Sequence, residues 1–280
     1  MVPASEARWL VEEASGLEHA GWAEPATVGG ARRLSAMLDR RRAGEPLQYV
    51  LGRWSFRGLE VIVDRRALIP RPETEVVAEV ALAEAVRAGS RRQQPDVWEA
   101  TPPSFPVADL GTGSGVLALT LAAELPDAEV WGTDASASAL AVARANLAAV
   151  GLAATRVRLA EGMWYEALPE TLRGRLRVIV SNPPYVAEAE FSGLPVEVRD
   201  HEPATALVAG PTGRECLEVL VAGGLAWLEP GGALVLEMAP HQAAALVAAA
   251  RQAGYADVSV RRDLAGRDRV LVARSAPAHP

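Results

Sequence analysis

The sequence predicts an α/β protein: a mostly parallel sheet with helices on both faces, preceded by a small helical unit and a linking β-hairpin. Three observations predict it. From Val107 onward, short apolar runs alternate with helical segments: Val107-Ala108-Asp109-Leu110, Glu129 to Thr133, Arg177 to Ser181 and Ala233 to Glu237. Strands alternating with helices imply parallel strands joined by crossovers. Ahead of them, Trp9, Leu10, Ala14 and Leu17 recur at helical spacing from Ser5. A second helical pattern carries Leu34, Met37 and Leu38 until Gly44 and Pro46 stop it. Between the two patterns, Trp54 to Val63 alternates β-prone and polar residues around Gly58, as a hairpin does. The expected organisation is a helical domain over 1–52, a linking hairpin over 53–70 and the α/β domain over 71–280. A helix is expected from Thr74 to Arg87, then a polar surface loop from Gly89 to Pro106. The Ala-rich stretches Ala135–Ala149 and Gln242–Ala253 read as amphipathic helices.

Composition narrows the function classes. With 280 residues, 50% of them hydrophobic and 22% charged, the chain can hold one large domain and a smaller one. The net charge of −7 argues against a dedicated nucleic-acid binder, whose affinity comes from neutralising phosphates. All 28 basic residues are Arg, scattered through both halves, and carry no functional signal. Cys216 is the only cysteine and reads as a small buried residue; His19, His201, His241 and His279 are far apart. Neither a disulfide framework nor a metal site is expected. No uninterrupted apolar run reaches membrane-spanning length and the N-terminus lacks a signal-peptide pattern, so a cytoplasmic protein is expected.

Asp109-Leu110-Gly111-Thr112-Gly113-Ser114-Gly115 follows the first strand of the α/β region and opens a helix. Glycines there let a ligand approach the backbone closely. Asp134 ends the next strand about twenty residues later, where a carboxylate can take the hydroxyls of a ribose. An adenosine-bearing ligand fits both features. Three readings stay open at this point: a methyl-donor site, a dinucleotide site and a structural turn. The spacing favours the first, since the dinucleotide fingerprint puts its third glycine where Val116 stands.

Ser181-Asn182-Pro183-Pro184-Tyr185 closes a later strand. Two prolines stiffen the backbone there and remove two N–H donors. The Asn182 side-chain oxygen and the Pro183 carbonyl are then suited to accept both protons of a planar NH₂ group, with the Tyr185 ring packed against its plane. Holding an amide nitrogen this way compensates for its poor nucleophilicity by positioning and by stabilising developing positive charge. A strand-ending turn is the plainer alternative.

With both motifs in view, the chain resembles the release factor glutamine methyltransferases, a family of Rossmann-like class I methyltransferases with a mostly parallel seven-stranded sheet. The resemblance runs through Pro46-Leu47-Gln48-Tyr49-Val50-Leu51-Gly52, Phe56-Arg57-Gly58, Leu68-Ile69-Pro70-Arg71-Pro72-Glu73-Thr74-Glu75, the glycine loop and Ser181 to Tyr185. It continues in Glu202-Pro203, Ala206-Leu207 and Arg262 to Arg269. It implies S-adenosylmethionine as cofactor, cradled by Gly111, Thr112, Gly113, Ser114 and Gly115, with Asp134 on the ribose and Trp164 near the adenine. An acidic residue usually stands just before that Trp; here Gly162 and Met163 separate Glu161 from Trp164. The family usually reads Glu-Ile-Gly followed closely by Gln where this chain has Glu237-Met238-Ala239-Pro240-His241-Gln242.

The resemblance further implies that Asn182, Pro183 and Tyr185 act in catalysis, and that with Pro184 they form the pocket for the glutamine of a Gly-Gly-Gln loop in peptide chain release factors. The N-terminal helices would then dock this protein substrate, with Arg32, Arg33, Arg40, Arg41 and Arg42 either a docking surface or a solvated face. Glu73 and Thr74 either cap a helix or line the cofactor pocket. A ribosomal-protein glutamine methyltransferase is the nearest alternative and a DNA or RNA amino-group methyltransferase the more distant one. No membrane and no direct nucleic-acid partner are expected, and a monomer is.

Overall fold

The computed structural model describes residues 3–16, 27–90 and 104–278. Leu17, His19, His279 and most of the expected loop at 89–106 lie outside them.

Helix α1 (Ala4–Ser15) turns Leu10 and Ala14 inward and stops at Gly16. Helix α2 (Val28–Arg42) starts at Thr27, whose hydroxyl oxygen accepts the Gly30 N–H at 3.0 Å, a cap contributing about 1 kcal/mol. Helix α3 (Leu47–Leu51) follows Pro46. Leu10, Ala14, Met37, Leu47 and Val50 form a small core of their own. Four of the five arginines named above are tied within the protein. Arg33 donates to the Ala14 carbonyl, Arg40 pairs with Glu45, Arg41 with Glu6 and Glu197, and Arg42 with Asp39.

Strands β1 (Arg53–Phe56) and β2 (Leu59–Ile62) pair antiparallel around Arg57 (φ 47°) and Gly58 (φ 77°). Two left-handed residues give the tight turn whose twist matches a hairpin. Phe56, Val61 and Val63 enter the main core. Helix α4 runs over Pro72–Ser90, longer than expected at both ends. Pro72 sits in its first turn, where a missing N–H costs nothing.

The expected surface loop is corrected at both ends: Gly89 and Ser90 belong to α4, and Phe105 and Pro106 begin strand β3 (Phe105–Leu110). Pro106 is tolerated because pairing with the strand on one side begins only at Val107. Then come α5 (Val116–Glu124), β4 (Ala128–Asp134), α6 (Ala137–Asn146), β5 (Val157–Glu161), β6 (Leu176–Ser181), β7 (Val186–Ala187) and α7 (Glu188–Phe191). The chain continues through α8 (Val196–His201), β8 (Val208–Gly210), α9 (Glu215–Gly224), β9 (Leu228–Glu237), α10 (Ala243–Gln252), β10 (Asp257–Arg262) and β11 (Asp268–Arg274).

The main sheet has seven strands in the order β10-β11-β9-β6-β3-β4-β5. Strands β9, β6, β3, β4 and β5 are parallel; β11 runs antiparallel to both β9 and β10. Alternate residues face opposite sides. Val107, Val178, Val180 and Val235 pack under α4 and α5, whereas Ala108, Ile179, Leu234 and Leu236 pack under α9 and α10. Residues 137–156 have the length and hydropathy of a membrane span. They are α6 and a 3-10 segment broken at Gly151, and α6 buries Leu140, Val142 and Asn146. The sheet order reverses between β3 and β6, so their carboxyl ends diverge there and leave a crevice for a ligand.

Candidate active site

A cavity of ≈ 740 Å³ opens at that crevice. The loop after β3 forms its floor. The Gly111 and Thr112 N–H groups both donate to the Thr133 carbonyl at 2.8 Å, pinning the turn to β4. Gly111 has φ +74°, and a Cβ there would stand 3.1 Å from the Trp164 ring. Gly113, at φ +58°, has open space where a side chain would be, and its N–H donates to Asp134 Oδ2 at 2.8 Å. This is a cradle that a side chain would fill, beside a carboxylate.

Asp134 Oδ1 accepts the Ser136 N–H at 2.8 Å. Each oxygen keeps acceptor capacity for a hydroxyl. Burial pushes the Asp134 carboxyl above its ordinary range, opposed by the Ser136 and Gly113 N–H groups. Behind the loop, Asp109 is fully buried. Its Oδ2 accepts Thr112 Oγ1 at 2.6 Å and the Ala118 N–H at 3.0 Å, while Oδ1 has no partner among the described residues. Burial pushes this carboxyl up to about 7, against the pull of those two donors.

Asn182 follows β6, and Ser181 anchors the strand end by donating to the Leu110 carbonyl. Asn182 Nδ2 donates to Thr74 Oγ1 at 3.1 Å, Thr74 donates to Glu237 Oε2 at 2.7 Å, and the Tyr185 hydroxyl donates to Glu237 Oε1 at 3.2 Å. Burial raises the Glu237 carboxyl above its ordinary range, opposed by Thr74, Arg269 and Tyr185. Gln242 Nε2 donates to the carbonyls of Tyr185 and Gly213, both at 2.9 Å, bracing the backbone after the two prolines.

Of the residues singled out from sequence, Gly111, Thr112, Gly113, Ser114, Asp134, Trp164, Asn182 and Pro184 line the cavity. Gly115, Pro183 and Tyr185 do not. Gly115 caps α5, Pro183 is buried, and the Tyr185 hydroxyl turns to Glu237. Trp164 adopts φ 47° beyond Gly162 and Met163, and this left-handed backbone lays its ring over Gly111. Thr74 lines the cavity from the first turn of α4, which begins at Pro72, and its hydroxyl goes to Glu237 and caps no helix N–H among the described residues. Cys216 is half-buried on the cavity wall, which corrects the expectation of a buried residue: the start of α9 faces the cleft. His241 is exposed. No group of metal-ligating side chains occurs among the described residues.

Glu202 was legible only as a motif. Its buried carboxylate pairs with Arg71 at 2.5 Å and accepts the Ile69 N–H at 3.3 Å, holding the segment before α4 against the cleft. Asp263 plays a similar part in the β10–β11 turn, accepting from Ala265, Arg267 and Arg269, while Arg269 also donates to the Met238 carbonyl beside Glu237.

Residues 2–52 match the PrmC N-terminal domain and residues 99–196 the methyltransferase small domain. The release factor glutamine methyltransferase of Xylella fastidiosa is 42% identical over 250 residues, covering 89% of this chain and 84% of that protein. That of Deinococcus radiodurans is 40% identical over 278 residues, covering 98% and 92%. This chain belongs to the release factor glutamine methyltransferases. It is therefore a methyltransferase, and S-adenosylmethionine use follows from the class. Among solved structures, the human Mettl16 catalytic domain bound to an RNA hairpin aligns with a TM-score of 0.57 at 15% identity, covering 88% of this chain and 81% of that one. A Pyrococcus furiosus methyltransferase aligns at 0.52 and 16%, covering 88% and 98%. Both share the fold. Within the family the departure at Ala239-Pro240-His241 is accommodated, since the Gln242 side chain bonds the Ala239 N–H and still reaches Tyr185.

Proposed function

We propose that this chain transfers a methyl group to the side-chain amide nitrogen of the Gly-Gly-Gln glutamine in peptide chain release factors, at the crevice between β3 and β6. The observation that carries the reading is the convergence of the Gly111 loop, Asp134 and Asn182 on one cavity. S-adenosylmethionine, when bound, supplies an electrophilic methyl. Gly111 to Ser114 would hold it along the loop, Asp134 would accept from its ribose, and Trp164 would cover its base. Asn182 Oδ1 and the Pro183 carbonyl would accept the two protons of the glutamine NH₂ and aim its nitrogen at the methyl. These acceptors become more favourable as the nitrogen gains positive charge, so they stabilise the transition state more than the ground state. The chain's own part is positioning; no general base of tuned pKa is required.

Pro184 would wall the pocket. Tyr185, whose hydroxyl is held by Glu237, would complete the glutamine pocket behind it. We assign the helical unit over 1–52 to docking of the release factor, with the hairpin over 53–70 linking it to the methyltransferase domain over 71–280. Competition among substrates tests the proposal: labelled methyl from S-adenosylmethionine is offered with an unmethylated release factor, a ribosomal protein preparation and protein-free DNA and RNA. Label on the release factor alone is the expected result. Label on ribosomal protein or nucleic acid in its place would overturn it.

A further inference from the structure

Glu237 is a buried carboxylate that the positioning mechanism does not use. It ends β9, is 1% exposed, and receives two hydroxyls, Thr74 at 2.7 Å and Tyr185 at 3.2 Å. A carboxylate only accepts, and Thr74 has a single hydroxyl proton. With that proton on Glu237, the Thr74 oxygen can only accept from Asn182, 3.1 Å away. Asn182 must therefore present Nδ2 to Thr74. Turning the amide over would set its oxygen against a second acceptor at the same distance, leaving both without a proton. Among the described residues nothing donates to Asn182 Oδ1, so this oxygen is the free end of the amide in a side chain that lines the cleft.

We infer that Glu237, acting through Thr74, is a positioning residue that fixes the polarity of the Asn182 amide, so that its oxygen and not its NH₂ meets the substrate nitrogen. This rests on the proposed reading of the cleft. Asn can present either a donor or an acceptor, and only the acceptor can hold an NH₂ group with its lone pair directed at a methyl. The relay removes that ambiguity with groups drawn from three elements: Thr74 in α4, Glu237 in β9 and Asn182 after β6. Tyr185 occupies the other Glu237 oxygen, so the carboxylate is bridged between the helix and the loop.

The test is a double-mutant cycle with turnover and cofactor affinity read separately. Glu237→Gln supplies an amide that can donate to Thr74, turning the Thr74 proton toward Asn182 and reversing the relay. Its kcat is expected to fall at least about tenfold, the worth of one misdirected hydrogen bond, while the Kd for S-adenosylmethionine by titration calorimetry stays within about threefold. Thr74→Val, close in shape but without the hydroxyl, is expected to lose as much, and Thr74→Ser to recover most of the loss. Because the two residues act as one unit, Thr74→Val with Glu237→Gln is expected to be no slower than Thr74→Val alone. Multiplicative losses in the double variant, or a Glu237→Gln kcat within about threefold of the parent, would overturn the inference. If Glu237→Gln does not fold, Thr74→Val against Thr74→Ser decides: equal rates overturn it. A parent enzyme that methylates no release factor refutes the proposed function instead, which keeps the two failures distinct.

Discussion

Replacing Asp109 by asparagine tests the electrostatics beneath the glycine loop. Both hydrogen bonds to Asp109 fall on Oδ2, so an amide oxygen placed there retains the Thr112 and Ala118 donors, and the unpartnered Oδ1 becomes a neutral NH₂. The folded protein holds the Asp109 carboxyl at about 7, above its ordinary value of 3.8. The folded state thus binds this proton more tightly than the unfolded one, so the contribution to stability is full below 3.8 and is lost as pH rises toward 7. The whole gap corresponds to roughly 4 kcal/mol, of which roughly 3 kcal/mol is lost between about pH 5 and pH 8. In a chain of this size that is about 5–8 °C in Tm. Thermal unfolding of both proteins at about pH 5 and pH 8 is the assay, and the difference between them cancels the titrating groups that do not sense Asp109; Asp134, whose charge raises the Asp109 carboxyl, is the coupled exception. The Asp109→Asn variant is expected to gain about 5–8 °C on the parent between the two pH values. Parallel curves would refute the reasoning, because they would mean the carboxyl titrates alike in the folded and unfolded chains.

Three further outcomes follow from the same geometry. Gly111→Ala forces an L side chain to φ +74° and sets a Cβ 3.1 Å from the Trp164 ring; at about 1–2 kcal/mol of strain, S-adenosylmethionine affinity by calorimetry should weaken about tenfold. Asp134→Ala removes the acceptor of the Gly113 and Ser136 N–H groups as well as the proposed ribose contact, and a loss of about 2–3 kcal/mol in cofactor binding is expected in the same titration. Arg71→Met strands the Glu202 carboxylate, whose side chain is 1% exposed; denaturant unfolding should show a loss of about 3 kcal/mol, partly recovered by adding Glu202→Gln.

Periodicity made the central strands and most helices legible. Val107, Ile179 and Leu234 belong to runs buried on both faces of the sheet, which read as uninterrupted apolar stretches. Strand β5 is harder to see because it is an edge, with only Val157 fully covered and Arg158 exposed. The β10–β11 hairpin was legible as a family motif and not as a turn: Asp263 organises it through backbone N–H groups, a tertiary arrangement with little local pattern. Pro106 misled in the opposite direction, since a proline at a strand start is indistinguishable in sequence from one in a loop.

In the site, the glycine loop and Asn182 announced themselves by spacing. Thr74 was named only as a helix cap or pocket residue and Glu237 only within a motif; their link to Asn182 was not legible, because it exists only once the fold brings α4 and β9 together. The one local hint was Glu237 itself, a charged residue ending the apolar run Ala233-Leu234-Val235-Leu236. Tyr185 illustrates the limit of motif reading. Its place beside the prolines is fixed by sequence, but the direction of its hydroxyl is fixed by Glu237, 52 positions away.

The proposal that Asn182 positions a glutamine amide for methyl transfer is tested most directly by tandem mass spectrometry. An unmethylated release factor is incubated with S-adenosylmethionine and either the parent enzyme or Asn182→Ala. A gain of about 14 Da, one methyl, is predicted on the Gly-Gly-Gln glutamine with the parent. With Asn182→Ala that product should be lost, although calorimetry still detects cofactor binding. Methyl on any other residue, or undiminished methylation by Asn182→Ala, would contradict it.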